Sequence, residues 1–338
     1  MSRRYRATAG DGGRYPADDD LGLDGLLTSA AQRMAVFASA RDSFARASGT
    51  LHELCGWRLC RESLRQLTHR TARRLTATRD NRRDAARFAR ADGVIEVQLD
   101  AGKVNTVGGW RDVKVAVICK RPLGKPASVD GWKNRRRPAP TVRTAVASVE
   151  GCGTFADRVR AETDRLDATT AADVTVLADG AEWIWNLAED VLPQAAGVLD
   201  YFHVAEKIGD AVKAIWGEGE VAVGLRTGGT GAVLRGGKAG LERWIGEAFG
   251  VLPAGAEGNE LRDLAAYVAP HPTHLGYAGR LAGGRSIGSG QVEGAIKQLV
   301  ARRLKLTGAR WRPEHVGPLV ELVALLDTPE WAEAWTAA

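Results

Sequence analysis

The sequence predicts an α/β fold, a mixed β-sheet flanked by helices and preceded by a helical region. Three observations predict it. Alternation of apolar and polar residues at period two begins only after residue 93, behind a long stretch with helical spacing. Three strand patterns then follow one another with no helix between them, which calls for antiparallel neighbours. From residue 155 onward strands and helices alternate, the mark of parallel strands joined by helical crossovers.

Taken in order, residues 1–27 are rich in Gly, Asp and Arg and are expected to be poorly ordered. Residues 28–90 read as helical. "SAAQRMAVFASARDSFARA" repeats small and apolar residues at three and four, and "TLHELCGW" and "RESLRQLTHRTARRL" follow. Two short helices meeting at Gly56-Trp57 suit a helix-turn-helix, and a plain helical hairpin has the same pattern. "VIEVQLD" (94–100), "DVKVAVICK" (112–120) and "TVRTAVASVE" (141–150) are the three consecutive strands, with a basic, proline-bearing loop at 121–140. Helix 155–166, strand 173–179, helix 182–191, strand 196–203 and helix 204–216 complete the alternation. Residues 217–284 interrupt it with glycine-rich turns ("RTGGTGAVLRGGKAG") and helical pieces. "SIGSG" then leads into helix 291–306, and helix 314–327 closes the pattern before a tail, 328–338.

At 338 residues, with 44% hydrophobic and 26% charged residues, the chain can bury a sizeable core. No apolar run is long enough to cross a membrane and the first residues lack a signal-peptide pattern, so a cytoplasmic protein is expected. Cys55, Cys60, Cys119 and Cys152 include no CxxC and imply reduced thiols. His52, Cys55, Cys60 and His69 match no zinc-module spacing.

The charge is concentrated. Residues 58–90 hold eleven arginines against three acids (Glu62, Asp80, Asp84), a surplus larger than the +6 of the whole chain. A second cluster, "KNRRR", spans 133–137. Guanidinium groups pair bidentately with phosphates, so such density suggests a polyanion partner; a solvated helix face is the plainer explanation. Nucleotide motifs fail on spacing. "GAVLRGGKA" sets its lysine one residue too late for a P-loop, and "GSGQVEG" is one residue too long for GxGxxG. "HPTH" (271–274) is flanked by prolines and cannot form a helical metal pair, and no GxSxG occurs.

Three acids hold unusual positions. Asp100 ends the first strand pattern, Asp179 ends the fourth, and Glu293 lies in the first turn of the helix after "SIGSG". Strand ends on one side of a sheet face a common crevice, and carboxylates gathered there repel unless cations neutralise them. Hard oxygen donors of this kind suit magnesium or manganese, and two such ions about 3.5–4 Å apart clamp the attacking and leaving oxygens of a phosphodiester. Each acid also has a simpler explanation. Asp100 can start a turn, Asp179-x-x-Glu182 approximates a capping box, and Glu293 suits a helix dipole.

The blocks "LDAGKVNTVGGWRDVKVAVICKR", "LADGAEWIWNLAEDVLPQAAGVLDYFHVAEKI" and "RSIGSGQVEGAIKQLVARRLKLTGARW" together resemble DDE-type insertion-sequence transposases of the Kra-type family, from about Tyr15 to the C-terminus. The resemblance implies an RNase H-like core over 91–216 and 285–327, with a helical insertion at 217–284 before the final glutamate. It implies a helix-turn-helix-like DNA-binding region at 28–90 and a catalytic, metal-binding triad of Asp100, Asp179 and Glu293 holding Mg2+ or Mn2+, two ions in all. Asp200-x-x-His203 matches the D-x-x-H pattern that several DDE superfamilies carry beside the site; a strand-end turn with a satisfied histidine explains it as well. The expected activity is metal-dependent cleavage of transposon-end DNA and strand transfer into target DNA, with no covalent protein–DNA intermediate. Phosphate contacts are expected from Arg61, Arg65, Arg70, Arg73 and Arg74, and from Lys297, Arg302, Arg303 and Lys305 on the Glu293 helix. The expected partners are DNA and further copies of the chain on it, at the nucleoid. Where relatives carry a cysteine pair before a "YPLD"-like motif, "RRYRATAGDGGRYPADDD" stands, so a small metal site is expected to be lost and the chain to be a shortened or decayed copy. Two other readings remain: a nuclease or resolvase that cuts without joining, and a non-catalytic DNA-binding regulator. Trp183 and Trp185, two positions apart on a helix, are expected to pack on different faces; Trp244 and Trp311 are open to packing or base stacking.

Overall fold

The computed structural model describes residues 23–24, 27–78, 84–326 and 328–335. The expectation for the first residues of the chain therefore lies almost wholly outside the described part. The chain divides into two compact units. One gathers residues 1–83, 103–111 and 297–338, and the other 84–102 and 112–296. No described helix is long and apolar enough to cross a membrane.

In the first unit a short antiparallel pairing of Leu23–Asp24 with Leu27–Thr28 precedes α1 (Ser29–Arg41), α2 (Phe44–Cys55) and α3 (Arg61–Ala77). Thr28 and Ser43 cap the first two by accepting backbone N–H bonds at 3.2 and 3.1 Å. Gly56 ends α2 in the left-handed conformation (φ 69°) that a side chain would strain, and this sets the sharp turn toward α3. Leu64, Leu67, Thr68, Thr71, Ala72 and Leu75 form the buried stripe of α3, at helical spacing.

The second unit begins with α4 (Asp84–Arg90) and carries a five-stranded sheet: β1 (Val94–Thr106), β2 (Gly109–Arg121), β3 (Val142–Ser148), β4 (Val174–Ala178) and β5 (Ala196–Leu199). The spatial order is β3-β2-β1-β4-β5. β3 runs antiparallel to β2, whereas β4 is parallel to β1 and β5 parallel to β4, so the sheet is the mixed one expected. β1 and β2 outrun their patterns and meet at the turn Val107–Gly108; residues 103–111 belong to the first unit.

Helices α5 (Cys152–Arg165), α6 (Glu182–Val191) and α7 (Tyr201–Trp216) cover the sheet. Ile184, Leu187, Ala188 and Val191 are buried along α6, and each fully buried aliphatic contributes about 1.5–3 kcal/mol. The region read as glycine-rich turns is instead α8 (Glu220–Phe249), kinked at Gly237, followed by α9 (Asn259–Val268) and α10 (Tyr277–Ala282). Packing overrides the weak helix propensity of glycine here. A Cβ at Gly229 would lie 2.8 Å from Trp244 and 2.9 Å from Ile208, so only glycine lets α7 and α8 approach so closely.

The chain then enters α11 (Gly290–Ala295). One π-helical stretch, Ile296–Ala301, and the turn Arg302–Leu304 replace the second half of the expected straight helix. In the first unit, α12 (Pro313–Leu325) packs on α3, and α13 (Pro329–Glu333) follows it. The last amphipathic helix thus groups with the N-terminal helices and not with the sheet.

Candidate functional site

β1 pairs with β4 in the register Gln98–Leu177, and β4 with β5 in the register Ala178–Leu199. Carried forward, these registers set Asp100, Asp179 and Asp200 level, one on each of three adjacent parallel strands about 4.8 Å apart. Asp100 does not end its strand. β1 continues to Thr106, and Asp100 lies just past its last pairing with β4. The turn explanation for Asp100 is thereby excluded.

Asp179 is no helix cap either. The N-cap of α6 is Ala181, and Asp179 Oδ1 accepts the Ala181 N–H at 3.0 Å, so the capping box with Glu182 is not made. Two contacts fix this loop. Trp185 donates its indole N–H to the Asp179 carbonyl at 2.8 Å, and the Gly180 N–H donates to the Tyr267 hydroxyl at 3.0 Å. A Cβ at Gly180 would sit 2.3 Å from the Tyr267 ring, which is why glycine follows the aspartate. Trp185 also packs against His274 (4.4 Å) and His271 (5.1 Å) with tilted rings, while Trp183 turns to Phe155 at 6.0 Å. The two tryptophans do serve different faces, and residues 271–274 buttress the Asp179 helix. Trp244 and Trp311 are both buried and pack.

Asp200 is fully buried and bonded through both oxygens. Oδ1 accepts the N–H groups of Phe202 (2.6 Å) and His203 (3.3 Å), capping α7. Oδ2 accepts both the N–H and the hydroxyl of Ser289 at 2.5 Å. Burial pushes the Asp200 carboxyl up, but the nearby His203 imidazole and the bonds from Ser289 outweigh it and hold it below the usual range. His203 Nδ1 stands 3.7 Å from Asp200 Oδ2, an ion-pair distance longer than a hydrogen bond. This carboxylate raises the imidazole to about 9, against burial and with help from Asp179 and Glu293. His203 is therefore charged at neutral pH.

Glu293 reaches the same place because its segment is pinned from below. Glu96, Gln98 and Asp100 alternate along one face of β1. Gln98 Oε1 accepts the N–H groups of Gln291 (2.9 Å) and Val292 (3.2 Å), capping α11. Gln98 Nε2 donates to Glu96 at 3.1 Å; Glu96 in turn accepts from Ser286, from Arg121 at 3.1 Å, and pairs with Arg137 at 3.6 Å. Segment 286–292 is thus bonded at three points to the ends and face of the sheet. The alternation in "VIEVQLD" had predicted a strand; that both its faces are buried was not visible in it. Glu96 and Gln98, 2% and 0% exposed, are the residues that pattern reading missed.

Among the described residues, donor atoms spaced for a metal, all within 4.8 Å of one another, belong to Asp200, His203 and Glu293. Asp100 and Asp179 enter this set through charge. The Asp100 carboxyl is raised to about 6, chiefly by burial, with Asp179 and Glu293 adding to it and the Ala101 N–H and His203 opposing. The expected triad is thus gathered in one electrostatic neighbourhood, but Glu293 joins the D-x-x-H pair most compactly. Like charges explain this, since Glu293 gains by facing the His203 imidazolium and loses by approaching two carboxylates. Asp100 and Asp179 lie outside that compact set, although carboxylate oxygens are the donors a hard divalent cation prefers. Asp200, with four bonds already accepted, and the protonated His203 suit it less.

The basic residues divide. Arg61, Arg70, Arg73, Arg74, Lys297, Arg302 and Lys305 are exposed, and Arg65 is bound to Glu62 at 2.8 and 2.5 Å. Arg303 does not face solvent. It is 2% exposed, donates Nε to the Ser39 carbonyl at 3.1 Å and lies over Phe44 and Trp311 at 4.7 and 5.0 Å. A guanidinium held against two rings in this way does not stand on an exposed helix face, where the phosphate contact was expected. The "KNRRR" cluster is likewise partly structural, since Arg137 pairs with Glu96 and Arg135 donates to the Arg285 carbonyl at 3.0 Å. His52, Cys55, Cys60 and His69 form no metal cluster.

No protein-family model and no curated protein matches this chain.

Proposed function

We propose that the chain is a DDE-type transposase with an RNase H-like core, acting on DNA through the site at Asp100 of β1 and the ends of β4 and β5. One observation carries the reading: three neighbouring parallel strands deliver Asp100, Asp179 and Asp200 at one level, and a pinned helix adds Glu293. The meander extended by two parallel strands, with helices 217–284 ahead of the final glutamate, agrees with it.

Asp100, Asp179 and Glu293 would hold magnesium or manganese, and bound ions of this type activate water and neutralise charge on a phosphodiester. The remaining residues orient and charge the site. Asp200 ties the start of α7 to Ser289, so that His203 and Glu293 keep a fixed separation. The His203 imidazolium, held charged up to about pH 9, offers a proton donor and a positive charge to a phosphate oxygen. The Asp100 carboxyl, raised to about 6, is the acid whose ionisation limits the site on the low-pH side.

The test uses the DNA that flanks the reading frame, supplied as duplex ends with magnesium or manganese. Wild type should cleave and join these ends to a target plasmid, and Asp179→Ala should lose at least about a hundredfold in rate. Cleavage by the variant at the wild-type rate overturns the site assignment. Cleavage without joining assigns a nuclease.

A further inference from the structure

The first unit contains two adjoining cavities, of about 730 and 470 Å³, whose walls share Arg65, His69, Arg312 and His315. His69 and His315 lie ring against ring, 4.0 Å between centroids and 31° between planes. Around them stand guanidinium groups from three parts of the chain. Arg65 Nη1 is 3.4 Å from His69 Nδ1, Arg73 lines the larger cavity, and Arg303 and Arg310 line the smaller. Glu314 is the single acid among the lining residues, and Glu62, which binds Arg65, lies outside the lining.

Burial alone does not explain this cluster, because it leaves polar groups unmatched. His69 is 5% exposed and Arg303 2% exposed, yet His69 Nε2, Arg303 Nη2 and the half-buried His315 Nδ1 have no hydrogen-bond partner. All three residues line the smaller cavity. Leaving buried polar atoms unmet is costly, and the residues that carry these three line one cavity, among guanidinium groups that can only donate.

The sign of the field names the acceptor. Two stacked imidazoles alone would suit a transition metal, but the surrounding guanidinium groups repel any cation. Burial, then His315 and Arg65, Arg303 and Arg73, drive His69 down to about 3, so the pocket already rejects one more positive charge. An anion with several acceptor oxygens satisfies both the fork-shaped guanidinium donors and the single imidazole N–H groups. We propose that the smaller cavity is a phosphate-binding pocket, in which Arg65, Arg303, Arg310 and Arg312 supply charge and His69 and His315 supply N–H donors. The phosphate is either part of a nucleic-acid backbone or free in solution. The pocket uses only residues of the first unit and stands without the carboxylate site.

Inorganic phosphate titrated into the full chain tests this, by calorimetry and by ¹⁵N NMR of the histidine rings. Phosphate should shift the His69 and His315 ring signals, and Arg312→Gln and Arg310→Gln, both at exposed positions, should each weaken binding about tenfold, the worth of one charge-assisted bond. A short random-sequence duplex in competition identifies the source. Displacement of phosphate by the duplex, with both ligands weakened by Arg312→Gln, assigns a backbone phosphate. Duplex binding that neither displaces phosphate nor responds to that variant assigns a free one. Unmoved His69 and His315 signals at saturating phosphate overturn the proposal, as does unchanged phosphate affinity in both variants when circular dichroism shows them folded.

Discussion

His203 and His69 occupy opposite electrostatic surroundings in the two units. Burial disfavours the charged form of both. At His203 the Asp200 carboxylate, then Asp179 and Glu293, override burial and lift the ring to about 9. At His69 the neighbours are His315 and three arginines, and they add to burial, lowering the ring to about 3. The sign of the nearest charges, and not depth, decides the protonation of a histidine here. Each unit therefore concentrates one sign of charge around a histidine that answers to it, acids at the strand ends and guanidinium groups at the paired rings. The difference can be broken or sharpened by altering the group that sets each sign.

The largest effect is expected where one side chain serves both the charge and the geometry. Asp200→Asn keeps the cap on α7, since the amide oxygen can still accept from Phe202 and His203, but it presents an amide donor to the Ser289 N–H and hydroxyl. Cleavage should fall about 10–100-fold, the usual cost of losing a positioning partner. The His203 ring should titrate well below its wild-type midpoint of about 9, followed by NMR of the ring proton. A rate loss with an unmoved His203 titration would mean that Asp200 acts only as structure.

The two units also differ in how far their chemistry can be read from the chain. Asp179, Asp200 and His203 were legible because a strand-end acid and a D-x-x-H spacing survive as local pattern. Glu293 was legible as an acid in a first helical turn, whereas Asp100 stood out for an end that its strand, running on to Thr106, does not have. Glu96 and Gln98 were not, since alternation says which residues share a face and nothing about whether that face is covered. Ser286 and the backbone of Gln291 and Val292 cover it from nearly two hundred positions away in the chain. The arginines were legible as density but not as direction. Arg302 and Arg303 are adjacent in sequence, one exposed and one buried against Phe44 and Trp311. The glycine-rich run at 226–240 misled because propensity is local, while the helix–helix approach that needs small residues is tertiary.

A smaller effect is expected in the pH dependence of stability, where the two histidines work in opposite directions. The raised His203 contributes fully below the unfolded value of about 6.5, and that contribution is lost as pH rises toward about 9. The depressed His69 contributes above about 6.5 and its contribution is lost as pH falls toward about 3, because the unfolded chain takes up the proton first. After allowance for solvent screening, the His69 loss amounts to about 2 kcal/mol. Urea denaturation at pH 7 and pH 4.5 should show His69→Gln losing less stability on acidification than wild type does. Equal losses would mean that acidification acts elsewhere.

The smallest change in stability is expected at a single carboxyl group, where function and stability separate. Asp100 has its pKa raised to about 6, chiefly by burial and then by its acidic neighbours, so the folded chain prefers it protonated. For such a group the favourable contribution is present below the unfolded value of about 3.9 and is lost as pH rises through about 6. At pH 7 the ionised carboxylate is a net cost, which a metal-binding role would justify and a structural role would not. Asp100→Asn removes the charge and keeps the size, and the amide oxygen still accepts the Ala101 N–H. In metal-free buffer at pH 7 it should raise stability by about 1 kcal/mol, after discounting for partial exposure, while abolishing cleavage. At pH 4 the gain should disappear, because the wild-type carboxyl is then neutral in the fold. A variant less stable than wild type at pH 7 would show that the Asp100 charge is compensated in the folded chain, and would remove the argument that this acid is held for a cation.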